Sequence, residues 1–162
     1  DMYLFSFYSR GMSFIDMAYL KRSDLKNGTI TCRRRKTGQQ LTVKWEKCME
    51  VIIAKYGENT ATRYLLPIIT NPCSDERTQY RNAICRINVA LKEVAGLAGL
   101  NIPLTMHVAR HCWASVAKSK NIPLSVISEG MGHDSEETTR IYLASLDTSV
   151  VDKANSLILK DF

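Results

Sequence analysis

The sequence predicts a mainly α-helical domain with a small antiparallel β-sheet, an α+β class, and three observations predict it. Apolar residues recur at helical spacing through most of the chain, most clearly from Ser74 to Leu100. One stretch, Thr29 to Trp45, changes to the Thr/Ile/Val-rich alternation of strands around a turn at "KTGQQ". Finally, 162 residues with 45% hydrophobic and 23% charged side chains suffice to bury one core in an ordinary globular domain. No apolar run approaches the roughly 20 residues of a membrane span, and no signal-peptide pattern opens the chain.

Taken in order, residues from about Met2 to Tyr8 and from Phe14 to Leu20 read as two helices broken near Gly11. Ser13 is placed to cap the second, with Asp16 at the third position of a capping box. The hairpin, about 28–45, pairs "TITCRRR" with "QLTVKW" and carries its basic residues at the tip. "EKCMEVIIAKYG" returns to helix with Gly57 as its C-cap. "RYLLPIIT" is short and apolar, a buried extended piece around Pro67.

The longest helical pattern starts at a Ser74 cap and places Ile84, Ile87, Leu91, Val94 and Ala95 on one apolar face. "TMHVARHCWASVAKSKN" is a further helix, stopped by Asn121, Ile122 and Pro123. "PLSVISEGMG" has Pro at its start and Gly at its end. "DSEETTRIYLAS" follows, capped by Asp134 or Ser135, with Glu136 and Glu137 in the first turn where the helix dipole favours acids. The tail, 147–162, is amphipathic, with Val150, Val151, Ala154, Leu157, Ile158 and Leu159 as its apolar stripe. There are no internal repeats and no low-complexity segment. The chain starts inside the apolar-rich "DMYLFSFYSR", so the expectation is a fragment, 1–162, from which a further N-terminal domain has been removed.

Lys and Arg number 22 against 16 Asp and Glu, a net charge of +6 that suggests a polyanionic partner. The five cysteines, Cys32, Cys48, Cys73, Cys85 and Cys112, are odd in number and form no Cys-x-x-Cys pair. That argues against a disulfide framework or a zinc ribbon and for a reducing, cytosolic compartment. His107 and His111 lie four apart, as two metal ligands on a helix would. The zinc-protease pattern needs Glu directly after the first His, and Val108 stands there. No metal is therefore expected, and His111 is expected to pack internally or to bond a backbone carbonyl.

Singly, a histidine or a tyrosine in such a chain is most often structural. The order of several is more informative. A basic hairpin carries Lys36; "HVARH" places His107 and Arg110 three apart on one helical face; "MGH" brings His133; and Tyr142 follows nine residues later. This ordered set resembles the tyrosine recombinase (phage integrase) family over nearly the whole chain, with the nearest resemblance to integrases of mobile elements such as conjugative transposons.

The resemblance implies a domain that cleaves and rejoins DNA through a 3′-phosphotyrosyl intermediate, to integrate or excise mobile DNA, with the catalytic helices at about 105–146. It implies Tyr142 as the nucleophile, Arg110 on the phosphate, His107 in proton management or a phosphate hydrogen bond, His133 on the phosphate, and Lys36 as general acid for the departing 5′-oxygen. It implies no nucleotide cofactor and no metal. A phenol of pKa about 10 leaves more readily than an alkoxide, so the covalent step is reversible. The implied partners are double-stranded DNA and other recombinase subunits, with the tail from about 149 to 160 docking on a neighbour or folding back on its own core. The implied setting is the nucleoid of a bacterial cytoplasm.

One member of the signature departs from the family pattern. The first arginine usually lies three residues before an acid, and counting back from Asp16 gives Ser13. Arg10 lies one helical turn earlier and is the expected replacement. Arg33, Arg34 and Arg35 are other candidates, expected chiefly to add salt-dependent DNA affinity. Two other activities fit part of the pattern: relaxation of supercoils as by a type IB topoisomerase, and DNA binding without catalysis.

Overall fold

A computed structural model describes residues 1–57, 61–133 and 135–143, with Tyr142 described by its backbone. The tail stripe and the candidate cap Asp134 lie outside the described residues. Seven α-helices and three strands, with one 3-10 turn at Arg22–Asp24, follow one another among those residues: α1 (Met2–Tyr8), α2 (Phe14–Ala18), β1 (Leu25–Lys26), β2 (Thr29–Arg33), β3 (Gln40–Lys44), α3 (Lys47–Ala54), α4 (Glu76–Leu97), α5 (Met106–Ser119), α6 (Leu124–Met131) and α7 (Glu136–Leu143). The architecture is mainly α with a small antiparallel sheet. No described helix is long and apolar enough to cross a membrane.

The sheet runs in the order β1-β2-β3 with antiparallel pairs throughout. Ile30 faces Val43 and Cys32 faces Leu41, so the buried side chains Ile30, Leu41 and Val43 come from alternate positions. β1 extends the hairpin of the sequence reading to three strands. Its two residues are too few to show alternation, but Asn27 and Gly28 both take positive φ, 50° and 69°, as a two-residue hairpin turn requires.

Most buried apolar side chains form a first core, in which Phe5, Met17, Leu20, Ile30, Met49, Leu66 and Ile69 are at most 1% exposed. Burying each such side chain is worth about 1.5–3 kcal/mol. A smaller second core joins Ala114, Ala117, Ile127, Met131 and Leu143, with Trp113 and Leu124 packed against it. α5 belongs to both: Met106 at its start lies in the first core, and Ala114 and Ala117 lie in the second. Between them, in the middle of α5, Ala109 and Arg110 are buried.

Several boundaries differ from the sequence reading for local reasons. α2 stops at Ala18 because the Leu20 carbonyl accepts from Leu65 N at 2.8 Å, drawing the chain out to an extended bridge between Lys21 and Tyr64. "RYLLPIIT" is buried as expected, with Tyr64, Leu66, Ile68 and Ile69 inside, but it is extended only at Tyr64: Pro67 and Ile68 form a tight turn in which Ile68 N donates to the Leu66 carbonyl at 2.8 Å. α3 ends at Ala54 and Lys55 caps it, so Gly57, with φ 63°, turns the chain two residues beyond the cap. Asp75 rather than Ser74 caps α4, because its carboxylate reaches the Thr78 amide at 2.6 Å. Val94 is 51% exposed. The inward row of α4 is Ala83, Ile87, Leu91 and Ala95 at four-residue steps, with Ile84 beside it, and Val94 falls off that row.

Candidate active site

The site is built where three loops meet the middle of α5. Thr105 caps α5, its hydroxyl accepting from Val108 N, and a three-residue step of about one turn puts His107 and Arg110 on one side. Arg110 is buried. It donates Nη1 to the Gly11 carbonyl at 2.6 Å and Nη2 to the Met131 carbonyl at 2.7 Å. The α1–α2 loop comes this close because Gly11 has no Cβ: one placed there would lie 3.0 Å from the Arg110 Cα, on a backbone with φ +71°. The loop itself is held by Ser6, whose hydroxyl donates to the Met12 carbonyl at 2.8 Å and whose carbonyl accepts from Gly11 N at 2.8 Å.

The start of α2 supplies an acid. Ser13 caps the helix as its sequence predicts, and its hydroxyl also donates to Asp16 Oδ2 at 2.5 Å. Asp16 is buried; its Oδ1 accepts from Arg35 N at 2.8 Å and its Oδ2 lies 3.7 Å from Arg34 Nε. Arg34 is the residue immediately after β2. It is 7% exposed, and its Nη1 donates to the Gly132 carbonyl. Gly132 is the left-handed C-cap of α6, and a Cβ there would meet Arg34 Cδ at 3.1 Å. The two guanidiniums therefore hold to adjacent carbonyls at the end of α6, Arg110 to Met131 and Arg34 to Gly132.

His133 follows that cap. Its backbone amide donates to the Ser128 carbonyl at 3.0 Å, and its Nδ1 lies 2.7 Å from Thr139 Oγ1 on α7. Thr139 is fully buried. Ser135 caps α7 by accepting from Thr138 N at 3.3 Å, with Glu136 and Glu137 in the first turn as expected.

These parts enclose a cleft of about 540 Å³. Lys36 and Thr37 from the hairpin tip, His107 and Arg110 from α5, and His133 and Thr138 line it, and Ser13 and Arg34 complete the wall. Four residues singled out in the sequence, Lys36, His107, Arg110 and His133, are thus brought together. The backbone of Tyr142 lies one helical turn beyond Thr138 on α7. Arg10 is not part of the cleft wall; it is half-buried, with φ 60°, just before Gly11. Arg33 and Arg35 are exposed, Arg33 donating to the Gly38 carbonyl at 3.4 Å and Arg35 lying 3.7 Å over the Tyr19 ring.

Sequence reasoning grouped Arg34 with its neighbours, yet a signal for it exists. Ile30 is buried and Cys32 half-buried, while Thr31 and Arg33 are exposed, so the inward period of β2 continues into Arg34.

Electrostatically, Arg34, Arg110 and Lys36 line the cleft and, among the described residues, the carboxylate of Asp16 stands behind Arg34, a surplus of positive charge suited to a phosphate. His107 is an exposed residue of the cleft wall, and its pKa lies below the ordinary value, first through partial shielding from water and then through the charges of Arg110 and Lys36. His111 is lowered too, by burial and then by His107 and Arg110. The two rings meet edge to face at 4.7 Å, with His111 half-buried and His107 exposed. Among the described residues, no three His, Cys, Asp or Glu side chains gather as a metal site. All five cysteines are unpaired.

A family model described as the phage integrase family matches residues 7–149. No curated protein matches the sequence. Among solved structures, the chain is similar to XerA recombinase, with 21% identity and a TM-score of 0.68 over 94% of this chain and 55% of that one. It is similar to XerH site-specific recombinase bound to difH substrate as a pre-cleavage complex, with 20% identity and a TM-score of 0.65 over 96% and 45%. It is also similar to the Tn1549 transposon integrase in complex with transposon right end DNA, with 14% identity and a TM-score of 0.59 over 98% and 57%. The chain spans about half the length of these proteins, and at such identities the likeness is one of fold.

Proposed function

Because the chain belongs to the phage integrase family, we propose that its cleft is the catalytic centre of a site-specific recombinase that cleaves and rejoins DNA. The observation that carries this reading is the convergence of Lys36, His107, Arg110 and His133 on one cleft, with the backbone of Tyr142 a turn beyond Thr138.

In this reaction the Tyr142 phenol oxygen attacks the scissile phosphorus, forming a P–O bond as the bond to the 5′-oxygen breaks. The phenolic proton passes to His107, whose lowered pKa keeps it neutral near pH 7 and able to accept. Lys36, exposed on the hairpin tip, gives a proton to the departing 5′-oxygen. Arg110 donates to the non-bridging oxygens, and because its guanidinium is already fixed by two carbonyls it needs little reorganisation. His133 donates a further hydrogen bond, its ring set by Thr139. Rejoining runs the same steps backwards from another strand's 5′-hydroxyl. The setting is the cell's nucleoid, the partners are duplex DNA and further recombinase subunits, and residues 1–162 act as the catalytic unit.

The test is a nicked suicide duplex carrying the end junction of the element that encodes the chain. The expected result is a covalent protein–DNA adduct that maps to Tyr142 and disappears in Tyr142→Phe. Binding without an adduct would leave only a DNA-binding module. Relaxation of a plasmid without strand exchange between two junctions would make it a topoisomerase.

A further inference from the structure

The geometry points to Arg34 as a catalytic residue, supplying the second guanidinium to the scissile phosphate in place of the arginine that Ser13 lacks. The inference rests on the strand-cleavage reading above. A phosphoryl transition state with extra charge on its non-bridging oxygens is best met by two forked donors, and Arg110 is one of them. Ser13 occupies the position three residues before Asp16 and cannot carry charge; its hydroxyl is turned to Asp16 at 2.5 Å.

Three features single out Arg34. First, it lines the cleft together with Ser13 and Arg110, whereas Arg33, Arg35 and Arg10 do not. Second, it is fixed on two sides. Nη1 is held by the Gly132 carbonyl and Nε faces the Asp16 carboxylate at 3.7 Å. Asp16 is itself occupied by Ser13 and by the Arg35 amide, so it orients the fork without wrapping it. Third, Arg34 Nη2 has no acceptor among the described residues, and the one buried side-chain polar atom left without a partner there is Gln39 Oε1. Nη2 is therefore not sealed from solvent, in a residue that lines the cleft, and its two N–H groups are available to a phosphate oxygen.

The surroundings are shaped for this side chain. At Gly132 a Cβ would come within 3.1 Å of Arg34 Cδ, so the left-handed cap is also the groove in which the arginine lies. A surface arginine that merely adds DNA affinity needs neither a 92% buried side chain nor a buried carboxylate beneath it.

The experiment compares adduct formation by the full chain on two suicide duplexes, one with an ordinary scissile phosphate and one with a methylphosphonate, which lacks one non-bridging charge. Arg34→Ala is expected to cleave the phosphate about 10²–10³-fold more slowly than the unaltered chain, and the deficit is expected to shrink to under tenfold on the methylphosphonate. Arg10→Ala is expected to cleave both at near-full rate. An equal deficit on both duplexes, or near-full cleavage of the phosphate by Arg34→Ala, would overturn the assignment. If Arg34→Ala melts below the assay temperature, Arg34→Lys decides, because it keeps a cation for Asp16 without the fork: undiminished cleavage would overturn the assignment, and a loss of tenfold or more relieved by methylphosphonate would support it. Absence of any adduct with the unaltered chain would instead sink the strand-cleavage reading.

Discussion

Arg110 on α5 reaches across 99 residues of sequence to donate Nη1 to the Gly11 carbonyl at 2.6 Å, while Gly11 leaves no room for a side chain against the Arg110 backbone. The two residues position each other. The loop carbonyl fixes one arm of the guanidinium, Met131 fixes the other, and the α1–α2 loop that leads to Ser13 is seated by the same contact. Charge-assisted hydrogen bonds of this kind are worth about 1.5–3 kcal/mol each. Position 11 is therefore predicted to be as sensitive as a residue that touches substrate.

Gly11→Ala tests this. The new methyl meets Cα and Cγ of Arg110 at 3.0 Å, and the φ of +71° is strained for any L side chain. Backbone cannot yield as a side-chain tip can, so the loop must move away from α5. The expected cost is about 1–3 kcal/mol in urea unfolding. Cleavage in the suicide-substrate assay is expected to fall at least tenfold while DNA affinity changes little. Unchanged cleavage would show that the guanidinium does not depend on this loop.

Much of this site was legible in the sequence because caps and spacings are local. Ser13 with Asp16, Pro123 with Gly132, and the three-residue step from His107 to Arg110 each depend on a few adjacent residues, and each stands where the sequence reading puts it. What escaped depends on contacts between distant elements. Arg33, Arg34 and Arg35 have the same chemistry, and only the packing of β2 against α2 and the α6 cap makes the middle one a buried residue. The "NG" turn that builds β1 was readable from its dipeptide, but two-residue strands leave no periodicity to confirm it. Val94 looked buried because its own helix is amphipathic, and a row offset by one position could be assigned only once the partners of α4 were known.

Thr139→Val is the second prediction. The substitution keeps the shape of a fully buried side chain but removes the oxygen 2.7 Å from His133 Nδ1. The hydrogen bond sets which ring nitrogen faces Thr139 and hence which faces the cleft. The expected loss is about 1–3 kcal/mol of stability. Cleavage should fall more than thermal stability alone explains, and its pH profile should broaden as the ring loses a fixed tautomer. A variant with the same pH profile as the unaltered chain would limit Thr139 to packing.

The third prediction concerns acid. His107 and His111 both have folded-state pKa values below their ordinary 6.5, so between those values and 6.5 the unfolded chain binds more protons than the folded one. Stability therefore rises with pH across that interval. The contribution is fully present above about 6.5 and is lost as pH falls toward the folded values. Urea unfolding at pH 7.5, 6.5 and 5.5 should show a progressive loss, and the double variant His107→Gln with His111→Gln should flatten it. A loss of equal size in the double variant would place the acid sensitivity elsewhere.

The fourth prediction joins packing to the site. Gly130 lies in the last turn of α6, where a Cβ would come 2.9 Å from Trp113 Cη2 and 3.7 Å from two further indole carbons. Its φ is not positive, so alanine gains helix propensity of about 0.8–1.0 kcal/mol over glycine. Against that stands overpacking, which typically costs about 1–3 kcal/mol, and the indole is a rigid plate that must move as a whole within the second core. The packing term is the larger, so Gly130→Ala is expected to destabilise despite its better helix former. The displaced ring also pushes on the turn that ends in Met131, whose carbonyl holds Arg110 Nη2 at 2.7 Å. A Trp45→Phe background leaves Trp113 as the sole tryptophan of the chain, and there the substitution should shift its fluorescence and lower cleavage together. A fluorescence shift with full cleavage would show that the second core can absorb the strain before it reaches Arg110.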